Sequence, residues 1–104
     1  MTRGSDITSC WEAGRRRRTP HLELAWRPNA TGHARMGIIV PLFQSSAVAR
    51  NRLRRRLREI LRRDVLPFHQ LPPIDVVIRA TRATYAAPFA ALRAELTDVV
   101  STLT

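Results

Sequence analysis

The chain has no lysine, and all 18 of its basic side chains are arginine. It has one cysteine, four glycines and only 6% aromatic residues. Each shortage removes a class of function. The lone Cys10 excludes an internal disulfide and any multi-cysteine zinc site, and it suits a reducing cytosol. His21, His33 and His69 are scattered without metal-ligand spacing, so a zinc site held by the protein is not expected. The glycines form no phosphate-cradling loop, and no serine, histidine and aspartate set can be assembled. The carboxylates are equally dispersed. Asp75 could help hold a metal, although a structural role at the head of a strand is the commoner use of such a residue. No apolar run approaches about 18 residues, so no membrane span is expected. The opening MTRGSDITSC has an acid and no apolar run, unlike a secretory signal. Hydrolysis by this chain alone lacks its parts.

What is present is positive charge. With 18 arginines against 8 acids the formal charge is +10, which favours a polyanion as the main partner. The charge is uneven: residues 1–63 hold 15 arginines and 4 acids, a net +11, and residues 64–104 hold 3 and 4, a net −1. Arginine also offers a planar fork for phosphate and a flat face for stacking on bases. A length of 104 residues is one domain with one modest core.

Residues 5–13 read as a short helix with Ile7, Cys10 and Trp11 on one side, stopped by Gly14. RRRR at 15–18 then reads as part of a connection. In HLELAW, Leu22, Leu24 and Trp26 alternate with His21, Glu23 and Ala25, as in a strand with one covered face. RPNATGH at 27–33 reads as a hairpin or loop, and ARMGIIV at 34–40 as a second strand ended by Pro41. Ser46 is placed to cap a helix running from Ala47 to about Arg63, with Ala49, Leu53, Leu57, Ile60 and Leu61 on one arc. DVLPFHQLPP at 64–73 reads as a loop and IDVVIRA at 74–80 as the strongest strand. A last helix begins near Pro88, in its first turn, with Phe89, Leu92, Leu96, Val99, Val100 and Leu103 on its core side. The fold class is therefore α/β, in the α+β two-layer sense: one small domain over 1–104, ordered helix, strands, basic helix, strand, helix.

The basic helix carries the functional signal. Residues 50–63 hold eight arginines and one acid, Glu59. A merely solvated helix face mixes signs, whereas an unmixed array tracks repeated phosphates. Arg50, Asn51, Arg52, Arg54, Arg55, Arg58 and Arg62 are the candidates for binding the backbone of a folded RNA or DNA. Arg15, Arg16, Arg17 and Arg18 form a second cluster that could extend the same surface, although a run of four has no specificity by itself. Among the aromatics, Trp26 fits the covered face of its strand. Trp11 could line a cleft between the first helix and the sheet, and Phe43 lies in the loop before the basic helix, where it could stack on a single strand.

SSAVARNRLRRRLRE at 45–59 resembles the signature segment of the bacterial ribonuclease P protein component, in which a helix opens with Ala-Val-x-Arg-Asn-Arg and continues with basic residues and an Arg-Glu. The match runs through Ala47, Val48, Arg50, Asn51, Arg52, Arg55, Arg56, Leu57, Arg58 and Glu59. The family's Arg-x-Gly strand is matched by Arg35, Met36 and Gly37, and its Asp-x-Val-x-Ile strand by Asp75, Val76, Val77 and Ile78. An upstream aromatic followed three residues later by glycine is matched by Trp11 and Gly14. The resemblance implies a single domain with a left-handed crossover and a cytoplasmic location. It implies a catalytic RNA as partner, and precursor tRNA as the substrate from which a 5′ leader is removed. It also implies that Mg2+ is bound mainly by the RNA subunit and substrate. No residue of the protein would be catalytic, and no obligate protein partner or membrane is implied. Trp11 and Phe43 become candidate leader contacts. The chain departs from the family at Pro41, Leu42 and Phe43, where Ser-Lys-Lys is common, at Ser45 and Ser46 in place of Gly-Asn, and at Ile7, where the first helix commonly supplies Phe. Rival readings are a structural or ribosomal RNA-binding protein of similar fold, a DNA-binding regulator and a protein-only nuclease. The last would need clustered carboxylates for magnesium.

Overall fold

The computed structural model describes residues 4–43, 45–65 and 71–102. Along the chain these form α1 (Gly4–Ala13), β1 (Arg15–Arg18), β2 (Leu22–Pro28), β3 (Arg35–Ile39), α2 (Ala47–Ile60), a π turn (Leu61–Val65), β4 (Ile74–Ala80), α3 (Arg82–Ala86) and α4 (Phe89–Ser101). The four strands make one mixed sheet in the order β1-β2-β4-β3. β2 is antiparallel to both β1 and β4, whereas β3 is parallel to β4, so α2 lies on a crossover between parallel neighbours.

β4 reads as a continuous apolar run because both of its faces are covered. On one face Val76, Ile78 and Ala80 meet Leu22 and Leu24 of β2 and the buried Leu53, Leu57, Ile60, Leu92, Leu96, Val99 and Val100 of α2 and α4. This is the main core. On the other face Val77 and its partner Ala25 are fully buried. There α1 packs, with the Cys10 thiol pointing at the carbonyls of Ala25 and Asp75. Burial, with the Asp75 carboxylate next in importance, raises the thiol's pKa and makes Cys10 a packing residue.

Gly14 ends α1 for a steric reason. A β-carbon at this position would lie 2.6 Å from the Cys10 carbonyl oxygen and 2.7 Å from that of Trp26. Helix end and strand backbone meet where only glycine fits.

Several sequence expectations change. RRRR is an edge strand, not a connection, because β2 offers it a free edge from Trp26 back to Glu23. The segment after β2 is a loop and no hairpin, since β4 is inserted between β2 and β3. α2 stops being an α-helix at Ile60, and Asp64 and Val65, expected in a loop, belong to the π turn. Rows of every fourth residue drift by about 40° per step on an α-helix, and the wider turn keeps both Leu61 and Val65 buried. Pro88 is the N-cap of α4, one position before its first turn. Phe89, expected in the core, is 44% exposed. Leu103, His69 and the rest of 66–70 lie outside the described residues. Among the described residues no helix is long and apolar enough to cross a membrane.

Candidate nucleic-acid interface

α2 is started by Ser46, whose Oγ accepts a hydrogen bond from the Ala49 amide at 3.1 Å. Its apolar arc holds Leu53, Leu57 and Ile60 in the core, which turns the arginines outward. Asn51, Arg52, Arg55, Arg56 and Arg58 are exposed, while Arg50 and Arg54 are half-buried. Among the described residues no ion pair engages any arginine from 50 to 58. Arg62 and Arg63 differ, since both are paired with Glu59 at 2.9 Å. The hydrogen bond from Arg62, aided by the charges of both arginines, holds the Glu59 carboxyl below its ordinary range. Arg50 has a further feature: its Nε is buried and has no hydrogen-bond partner among the described residues. A buried donor of that kind is uncommon in a folded protein.

The second basic cluster is divided between the two faces of the sheet. The register places Arg16 and Arg18 of β1 on the face of Glu23 and Ala25, and Arg15 and Arg17 on the face of Leu24 and Trp26. The Arg16 guanidinium donates twice to the Trp11 carbonyl, from Nε at 3.0 Å and Nη2 at 2.7 Å, and lies 4.7 Å from the centre of the Trp11 ring. Arg79 of β4 approaches the same ring at 5.3 Å. One half-buried indole flanked by two guanidiniums is an aromatic and cationic platform beside α1. Trp26 is also half-buried. It packs against the core and lines a depression of about 390 Å3 with Arg15, Arg27 and Gly14.

The two basic regions are not one continuous strip in the sheet order. β1 is one edge, and β3, against which α2 packs, is the other. The turn of β1 into β2 is fixed by Glu95 of α4, which accepts from Thr19 Oγ1 at 2.6 Å and the His21 amide at 2.8 Å and meets the His21 ring at 2.6 Å. Burial alone would raise the Glu95 pKa, but these hydrogen bonds overcome it and hold the carboxyl below its usual range. Asp75 is likewise committed. Both of its oxygens accept from Arg35 and one also from Asn29, so it is a structural carboxylate and does not fit a metal-ligand role. Among the described residues no group of three or more metal-ligating side chains forms.

Phe43 makes its ring contacts with Tyr85 and Arg82, not with the residues of the Trp11 platform. Its ring meets Tyr85 edge-on at 6.3 Å, and Tyr85 packs against the main core under α2 and α4.

The sequence model of the family described as Ribonuclease P matches residues 1–104. The chain belongs to this family of bacterial ribonuclease P protein components. The ribonuclease P protein component of Idiomarina loihiensis is 38% identical over 76 residues, covering 72% of this chain and 58% of that protein. That of Thermus scotoductus is 45% identical over 76 residues, covering 73% of this chain and 45% of its own length. The chain thus spans about half the length of the curated relatives it matches. The solved RNase P protein of Staphylococcus aureus superposes with a TM-score of 0.81 at 18% identity, covering 98% of this chain and 91% of that one. That of Thermotoga maritima gives 0.79 at 22%, covering 95% and 92%. At these identities the likeness is one of fold.

Within this ribonuclease P protein fold, the sequence reading missed Arg79, Arg82 and Tyr85. Arg79 was legible, because alternation along IDVVIRA puts it on the face of Asp75 and Val77. Arg82 and Tyr85 lie on α3, a helix of five residues, too short to leave a periodic pattern.

Proposed function

We propose that the chain is the RNA-binding subunit of a ribonuclease P ribonucleoprotein that removes the 5′ leader of precursor tRNA. The observation that carries this reading is the set of six arginines between 50 and 58, ordered on one capped helix and free of ion pairs among the described residues. Holding them together costs mutual repulsion, and a phosphate backbone relieves it. Arg50, Arg52, Arg54, Arg55 and Arg58 neutralise phosphates of the catalytic RNA, and Asn51 supplies a short amide to a sugar or base. Arg62 contributes less than its neighbours because Glu59 already shares its charge. The platform of Trp11, Arg16 and Arg79 receives the single-stranded leader by stacking and charge. The magnesium of the reaction is held mainly by the RNA and substrate, and the protein's part is to bind and orient.

The deciding experiment is 5′ cleavage of a precursor tRNA at low magnesium, with the matching catalytic RNA alone, with RNA plus protein, and with protein alone. Stimulation only in the combined reaction supports the reading. Tight RNA binding without stimulation points instead to a structural RNA-binding protein, and cleavage by protein alone overturns the assignment.

A further inference from the structure

The loop between β3 and α2 has an unusual construction. Phe43 has φ +50, in the left-handed region that favours glycine and that bulky residues rarely enter. It occupies the second position of a turn closed by the Ser45 amide donating to the Leu42 carbonyl at 2.9 Å. The ring is not hidden as a reward for that backbone: Phe43 remains 40% exposed. It is braced instead. Tyr85 stands edge-on to it, and the Tyr85 hydroxyl donates to the Pro41 carbonyl at 2.6 Å, tying α3 to the chain just before the turn. The Arg82 guanidinium lies 5.5 Å from the Phe43 ring centre.

Phe43, Ser45, Arg82 and Tyr85 line an open pocket of about 170 Å3. This is well below the roughly 300–1,000 Å3 of sites that take drug-sized ligands, and it suits one planar ring system and not a helix or strand. An unfavourable backbone angle that presents an aromatic ring, a cation over that ring and a hydroxyl at the rim together describe a seat for one base and its phosphate. Ser45 directly precedes the cap of α2, so the pocket lies at the N-terminal end of the helix that carries Arg50 and Arg52.

We infer that this pocket takes a single unpaired nucleotide of the same structured RNA that α2 grips, with the base against Phe43 and the phosphate near Arg82. The inference rests on the proposed RNA-binding role of α2, and it assigns Phe43 to the large RNA instead of the leader. Tyr85 belongs to the core side of the sheet with α2, whereas the leader platform lies on the α1 side.

The test measures binding of the protein to the catalytic RNA across a salt series, first without precursor and then with leader-bearing precursor present. Phe43→Gly relieves the backbone angle, so folded stability is held while RNA affinity falls roughly tenfold. Phe43→Trp restores the affinity. Phe43→Gly leaves the salt slope unchanged, because a ring releases no counterions, whereas Arg82→Gln lowers it by nearly one. A loss seen only with leader-bearing precursor, or no loss for Phe43→Gly, overturns the pocket while leaving the α2 reading intact. Wild-type protein that fails to bind the RNA overturns both.

Discussion

Arg35 and Asp75 are paired residues of neighbouring parallel strands, and the guanidinium clasps the carboxylate with two parallel hydrogen bonds of 2.8 Å. The same arginine reaches Asp6 of α1 at 3.8 Å, and Asn29 from the β2–β3 loop donates to Asp75 at 2.8 Å. Asp75 is only 1% exposed. One buried carboxylate therefore joins β4, β3 and the loop, and through Arg35 also α1.

Replacing Asp75 with Ala should cost on the order of 3 kcal/mol, since it strands the Arg35 charge and the Asn29 amide. The clasp should also be acid-labile. The Arg35 hydrogen bonds hold the Asp75 carboxyl below its ordinary range, against burial and with help from Asn29. A depressed folded-state pKa gives stability that is present above the unfolded value of about 3.9 and is lost as pH falls through the lower folded value. Urea titrations of wild type and Asp75→Asn should thus differ by a constant amount near neutrality, and the gap should close only below that unfolded value. A gap that closes nearer pH 6 would assign the effect to another group.

Gly14→Ala should destabilise by about 1–3 kcal/mol, because the three atoms nearest its β-carbon, the Cys10 carbonyl oxygen and the Trp26 carbonyl oxygen and carbon, are all backbone and none can swing aside. Denaturant midpoints check this. Hydrogen exchange should show the amides of α1 opening before those of β4.

Changing Arg50, Arg52 and Arg54 together to Ala should weaken RNA binding and flatten its salt dependence by nearly one unit for each phosphate no longer neutralised. The fold should survive, because none of the three is fully buried. Leu57→Ala provides the contrast. This side chain is 0% exposed, so the cost of about 2–5 kcal/mol falls on the core, and the salt slope of whatever protein remains folded should be unchanged.

Trp11→Ala should reduce affinity for a precursor carrying its 5′ leader by roughly tenfold more than affinity for mature tRNA, in the presence of the catalytic RNA. Equal losses on both would remove Trp11 from the leader path.

Much of this architecture was legible because it rests on periodicity. IDVVIRA matches β4 residue for residue, and the arc of Leu53, Leu57 and Ile60 matches the buried side of α2. The misses have physical causes. RRRR has no alternation to read, and it becomes a strand only because β2 presents an unpaired edge to it. Spacing places Phe89 on the stripe of α4, but spacing cannot say where the core ends along the helix axis. The reading of Phe43 as an exposed loop aromatic holds, while its partners Arg82 and Tyr85 come from a segment 39 or more residues away in sequence, which no local pattern connects to it.

The edge strand of four exposed arginines has a further consequence for the free protein. An open strand edge is a template on which a second copy of the chain can add itself, and sheets that leave one bare tend to polymerise. Here such an addition would set guanidinium rows against each other at strand spacing, where like charges directly opposite are destabilising. The arginines of β1 therefore disfavour the addition of a second copy of the chain along this edge.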